Sequence, residues 1–164
     1  LVWLCIEWVK FGKPSLVGVV TGMVAGLATI TPASGFVGPM GALLIGLAGG
    51  LVCYYAVGLI KHKLKIDDSL DVFAVHGVGG AIGTLLVAFL VDTSFGGGGL
   101  AEGMTMGSQF GVQLTGLIAV LVWSLVASFI LVKVAQALVG LRVSDDEELE
   151  GLDVTSHGET GYNL

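Results

Sequence analysis

Leu70-Asp-Val-Phe-Ala-Val-His76-Gly-Val-Gly-Gly80-Ala-Ile-Gly-Thr-Leu-Leu-Val-Ala-Phe-Leu-Val91 carries two ionisable side chains, Asp71 and His76, among residues that are otherwise apolar, glycine or threonine. A run of about 20 apolar residues is what a helix needs to cross the hydrocarbon of a bilayer. An ionisable side chain inside such a run is costly unless it faces a cavity or a partner, so His76 is by default a functional residue.

The neighbouring sequence repeats the pattern. Runs of similar length and character cover Ser15 to Pro32, Gly41 to Ile60 and Val112 to Val132, and Leu1 to Val9 reads as the end of a further span. Over 164 residues, 54% are hydrophobic and 12% charged, with a mean hydropathy of +0.93. Soluble domains carry about twice that share of charge. The expected architecture is an all-α polytopic membrane helix bundle over residues 1–140, with a polar tail over 141–164. The sequence opens on Leu1 in mid-helix, with no cleavable signal pattern, and is expected to be a fragment.

All seven basic residues fall after alternate spans: Lys10 and Lys13, then Lys61, Lys63 and Lys65, then Lys133 and Arg142. The intervening loops, Thr31 to Gly38 and Asp92 to Phe110, hold none. The positive-inside rule places the basic loops, and with them the C-terminal tail, in the cytoplasm. Many of the 27 glycines recur four apart, as in Gly18, Gly22 and Gly26, Gly46 and Gly50, Gly79 and Gly83, and Gly107 and Gly111. That spacing lets helix backbones approach closely within a membrane. The run Gly96 to Gly99 is expected to be an outer loop of great backbone freedom. It lacks the Lys-Ser/Thr sequel of a phosphate-binding loop.

The tail concentrates the acidity. From Arg142 onward lie Asp145, Asp146, Glu147, Glu148, Glu150, Asp153 and Glu159; of the thirteen acidic and seven basic residues, six of each remain outside it. Ser144 and Glu147 have capping-box spacing, and Gly151 is placed to end the short helix that follows. The stretch Gly151 to Tyr162 mixes turn formers with spaced apolar residues and is suited to dock on a surface.

Around His76, residues four apart share a helix face, which puts Val72, His76 and Gly80 on one apolar stripe. Asp71 is about 7 to 8 Å away along a helix, so it is expected to cap the helix as a structural residue and not to pair with His76. Thr21, midway along its span, is expected to bond its own helix carbonyl. A neutral imidazole, with one donor and one acceptor nitrogen, on a narrow apolar stripe suits a small uncharged solute that forms hydrogen bonds. The three histidines share no helical turn, and Cys5 and Cys53 have no ligand spacing, so neither a metal nor a cofactor is expected.

The runs Gly12-Lys-Pro-Ser-Leu16, Ala25-Gly-Leu-Ala-Thr-Ile-Thr-Pro-Ala-Ser-Gly-Phe36, Ile66-Asp-Asp-Ser-Leu-Asp-Val-Phe-Ala-Val-His-Gly-Val-Gly-Gly80 and Ala101-Glu-Gly-Met-Thr-Met-Gly107 stand in one order, followed by Gly140-Leu-Arg-Val, Gly151-Leu-Asp and His157-Gly-Glu. Together they resemble the C-terminal half of the ammonium transporter family, which includes the Mep and Rh proteins. The resemblance implies an eleven-helix inverted-repeat fold, a homotrimer with one pore per subunit, and a multi-pass place in the plasma membrane, the inner membrane if the source is Gram-negative. It makes His76 the second of a pair of pore histidines and puts Val72 and Thr21 on the cytoplasmic part of the pore. The first histidine and the outer aromatic residues would lie on helices before Leu1. Through Arg142, Gly151, Asp153 and His157 it implies a regulatory tail that answers to a PII-type signal protein.

The function so implied is transport of ammonium or ammonia and not catalysis. An enzyme would need a nucleophile or metal ligands converging on His76, and the sequence shows no such cluster. The alternatives are a neutral gas channel of the Rh type and a transporter-like ammonium sensor.

Overall fold

The computed structural model describes residues 1–161. All of its regular structure is helical, with no strand among the described residues. Two compact units, Leu1–Ile118 and Ala119–Leu164, divide the chain. Four helices are long and apolar enough to cross a membrane, Leu16–Ala33, Pro39–Lys63, Val72–Leu90 and Met106–Leu138. They match the four expected spans. The last, α5 (Met106–Leu138), is 33 residues long, about 50 Å at 1.5 Å per residue, and starts at Met106, before the Val112 read from the sequence.

In the first unit, α1 (Val2–Phe11) ends at Gly12, whose φ of 76° lies in the left-handed region. Its Glu7 then closes the turn into α2 (Leu16–Ile30). The Ser15 N–H donates to Glu7 Oε2 at 2.6 Å and the Ser15 hydroxyl to Oε1 at 3.1 Å, while Ser15 Oγ accepts from the Gly18 N–H at 2.9 Å. A tight turn Thr31–Ala33 extends α2. Helix α3 (Pro39–Gly58) opens on proline at its first position, where no N–H is needed, and runs on into a π-helical turn, Leu59–Lys63. A second π-helical turn, Val72–Gly77, leads into α4 (Val78–Leu90).

Helices α2, α3 and α4 pack on one another, and α1 packs on α2 and α3. One apolar cluster gathers Ala33, Ile45, Val87, Leu90 and Val91, and another Trp3, Ala25, Cys53 and Val75. Between them Thr29 is fully buried, its hydroxyl donating to the Ala25 carbonyl at 2.7 Å. Gly49, Gly79 and Gly83 all abut it. A Cβ on Gly83 would strike the Thr29 carbonyl, and one on Gly79 would come within 2.9 Å of Thr29 Oγ1. The four-residue spacing therefore marks close approach at Gly79 and Gly83, and at Gly18, Gly22 and Gly50, which meet Glu7, Trp3 and Val2. It fails at Gly26, Gly46 and Gly111, where nothing lies within 4 Å, and it misses Gly49.

Lys10 Nζ sits 4.8 Å from the ring centroids of both Tyr54 and Tyr55, so the ends of α1 and α3 that carry lysines lie together. At the other end, the glycine run departs from its expected freedom. The Gly98 N–H donates to the Phe36 carbonyl at 3.0 Å and the Gly99 N–H to Val91 at 2.8 Å, and Gly96 and Gly97 donate to Thr93 and Asp92. Gly38 lies against the Gly96 backbone. The glycines are there because two loops touch. Hydrogen bonding from Ser94 holds the Asp92 carboxyl below the usual carboxylate range.

In the second unit, the expected capping box is present. Ser144 Oγ accepts from the Glu147 N–H, and Glu147 Oε2 accepts from the Ser144 N–H at 2.9 Å. It starts α6 (Asp145–Glu150), which ends at Gly151 with φ 104°. A second short helix, α7 (Leu152–His157), follows and ends at Gly158. Residues 162–164, including Tyr162 at the close of the docking stretch, lie outside the described residues.

Candidate functional site

His76 stands on the π-helical turn that starts the third span. Such single-turn widenings are rare and occur often at functional sites. Asp68 builds the turn from outside it. The Val72 N–H donates to Asp68 Oδ1 at 2.8 Å, and those of Phe73 and Ala74 donate to Oδ2 at 3.0 and 3.1 Å. Three of the four backbone donors that a helix start leaves unpaired are thus satisfied by one carboxylate. The Asp71 carbonyl takes the Val75 N–H at 2.8 Å.

This corrects the expectation for Asp71. It occupies the position before the helix, but its side chain makes no capping bond, and its backbone is left-handed at φ 56°. The carboxylate instead forms an ion pair with Lys61 Nζ at 2.8 Å. Lys61 also reaches the Ser69 carbonyl at 3.4 Å, joining the end of α3 to the chain before His76.

Two hollows meet at the imidazole. One, of about 260 Å³, is lined by Thr21, Val17, Val20 and Val75 and by the chain at 69–71. The other, of about 610 Å³, is lined by Leu27, Ala28, Thr31, Pro32, Gly80 and Thr84. His76 and Val24 line both. They form a groove along α2 and α4 with the ring at its junction. In this chain the ring is exposed on the groove rather than enclosed, and it has no hydrogen-bond partner among the described residues.

Beside the imidazole, the smaller hollow also holds Ser69 and Asp71, whereas the only other polar side chains that line the larger one are threonines whose hydroxyl hydrogens are already committed. Thr21 donates to the Val17 carbonyl at 2.8 Å, as expected for a membrane threonine, Thr31 to Leu27 at 2.7 Å, and Thr84 to Gly80 at 2.8 Å. What they offer a solute is oxygen lone pairs. The sequence reading did not single out Thr31, Thr84, Asp68 or Lys61. For Thr84 the signal was present, since it continues the four-residue stripe from His76 through Gly80.

The model of the Ammonium Transporter Family matches residues 1–162. The chain belongs to the ammonium transporter family. It is 43% identical to an ammonium transporter of Aquifex aeolicus over 166 residues, covering 100% of this chain and 38% of that protein. With the ammonium transporter Amt1 of Archaeoglobus fulgidus it shares 44% identity over 163 residues, 98% of this chain and 40% of the relative. The chain therefore spans about two-fifths of the length of these curated relatives. Among solved structures, a sensor Amt protein superposes with a TM-score of 0.82 at 36% identity, over 93% of this chain and 37% of its own. Saccharomyces cerevisiae Mep2 gives 0.71 at 37%, over 84% and 34%.

Family membership and four apolar helices make this a multi-pass membrane protein whose relatives are named as transporters. Within this chain, His76 lines one hollow with Thr21 and the other with Gly80. Val72, exposed on the π-helical turn, lines neither hollow, and the four-residue stripe runs on from His76 through Gly80 to Thr84. The tail residues fall in the second unit. There Arg142 pairs with Glu148 at 2.6 Å, Asp153 and His157 stand four apart on α7, and the Asp153 carbonyl accepts the Glu159 N–H at 2.8 Å.

Proposed function

We propose that the whole protein carries ammonium across the plasma membrane, with the groove along α2 and α4 as one wall of its path and His76 as acceptor and relay for the substrate proton. The observation that carries this reading is the position of the imidazole where two hollows meet, the larger of them walled mostly by apolar residues. Moving the charged ion through such a stretch costs several kcal/mol, and releasing its proton at a ring nitrogen removes most of that cost. The substrate class follows from the family and from relatives named as ammonium transporters. Thr21 serves the path below the ring.

The same reading includes a homotrimer, a cytoplasmic C-terminus, and regulation through the tail by a PII-type signal protein. The orientation is supported by the clustering of the basic residues at or just past the ends of alternate apolar runs. The regulatory role is supported by the ordered pair α6 and α7 that the acidic tail forms.

The test is transport by the full-length protein in vesicles, comparing wild type with His76→Ala at equal amounts of assembled protein. The expected outcome is a fall in ammonium uptake, or a change in the charge moved per ammonium. Unchanged uptake with unchanged charge would refute the role of His76. Ammonium binding by the wild type without any uptake would point to a sensor instead.

A further inference from the structure

We propose that Thr84 positions the permeating nitrogen on the outer side of His76, presenting its hydroxyl oxygen as an acceptor for substrate N–H. The inference rests on the transport reading above and adds a residue to it. Thr84 lines the same hollow as His76 and stands eight residues on, roughly 12 Å along the helix at 1.5 Å per residue. Between them Gly80 leaves the floor open, since a Cβ there would meet nothing within 4 Å.

The hydroxyl has a fixed polarity. Its hydrogen is held by the Gly80 carbonyl at 2.8 Å, so what it shows to the groove is lone pairs. Leu27, Ala28 and Pro32 make most of the surrounding wall apolar, and Thr31, its hydrogen likewise held, is the other hydroxyl acceptor in the hollow. A solute bearing several N–H groups gains a hydrogen bond there before it reaches the imidazole from outside, whereas a methyl group in the same place gains none and leaves the oxygen unpaired. Thr84 therefore favours ammonium over its methylated analogue.

The experiment measures uptake of ammonium and of methylammonium by the full-length protein, as wild type, Thr84→Val, Thr84→Ala and Thr84→Ser, at matched amounts of assembled protein. Alanine removes the hydroxyl without filling the groove, so it serves if valine impairs assembly. The expected result is that the ratio of ammonium to methylammonium uptake falls roughly three- to tenfold in the valine and alanine variants, the size of one net hydrogen bond, and returns in the serine variant. A ratio that stays constant while both rates fall would make Thr84 a packing residue, and a serine variant that does not restore the ratio would overturn the proposal equally. A wild type that carries neither substrate would instead refute the transport reading itself.

Discussion

Asp68 and Asp71 show how a single carboxylate is assigned its work. Both precede the helix that carries His76. Asp71 is adjacent to it, yet the three capping bonds go to Asp68, because the left-handed backbone at Asp71 turns its own side chain toward Lys61. Nothing in the run Asp67-Asp-Ser-Leu-Asp71 distinguishes the two, since the choice depends on a backbone reversal that any of these residues permits. Loss of a cap costs about 0.5 to 2 kcal/mol, whereas a partly exposed ion pair contributes about 0 to 1 kcal/mol. Glycine at 71 also relieves the left-handed strain. Asp68→Ala should therefore lower the thermal midpoint of the detergent-solubilised full-length protein clearly more than Asp71→Gly does. The opposite ranking would return the cap to Asp71.

At the level of helices, the number and placement of the spans were legible because apolar length alone determines them. The interior of each span was less so. Periodicity treated every turn as α-helical, whereas Val72–Gly77 is a π-helical turn and Val72 lines neither hollow beside His76. The glycines were read by spacing, but close approach also depends on which helix lies opposite. Gly83 meets the Thr29 carbonyl, while Gly46 meets nothing. Gly83→Ala should destabilise by about 1 to 3 kcal/mol, as overpacking against backbone does, and Gly46→Ala should leave the melting temperature unchanged or slightly higher.

The acidic helix α6 makes a prediction of its own. The Ser144 hydroxyl, and then its backbone N–H, hold the Glu147 carboxyl below the usual carboxylate range. A carboxyl depressed in the folded state stabilises it when ionised. That contribution is present above the ordinary carboxylate range and is lost as pH falls from that range through the depressed folded value. Carbon-13 titration of the Glu147 carboxyl should show the low midpoint, with the helical shifts of residues 145–150 fading over the same pH interval. Ser144→Ala should move the midpoint up toward the ordinary value.

For the whole molecule, the account rests on one path beside His76. Two glycines allow a controlled obstruction. Gly80 and Gly26 both have free space where a Cβ would go, but Gly80 lies in the hollow shared with His76, whereas Gly26 faces a separate hollow between α2 and α3 beside Gly46 and Gly50. The most direct measurement is ammonium uptake by the full-length protein as Gly80→Leu and as Gly26→Leu, at equal amounts of assembled protein. The account predicts that Gly80→Leu loses most of its uptake while Gly26→Leu keeps the wild-type rate. Wild-type uptake by Gly80→Leu would contradict it.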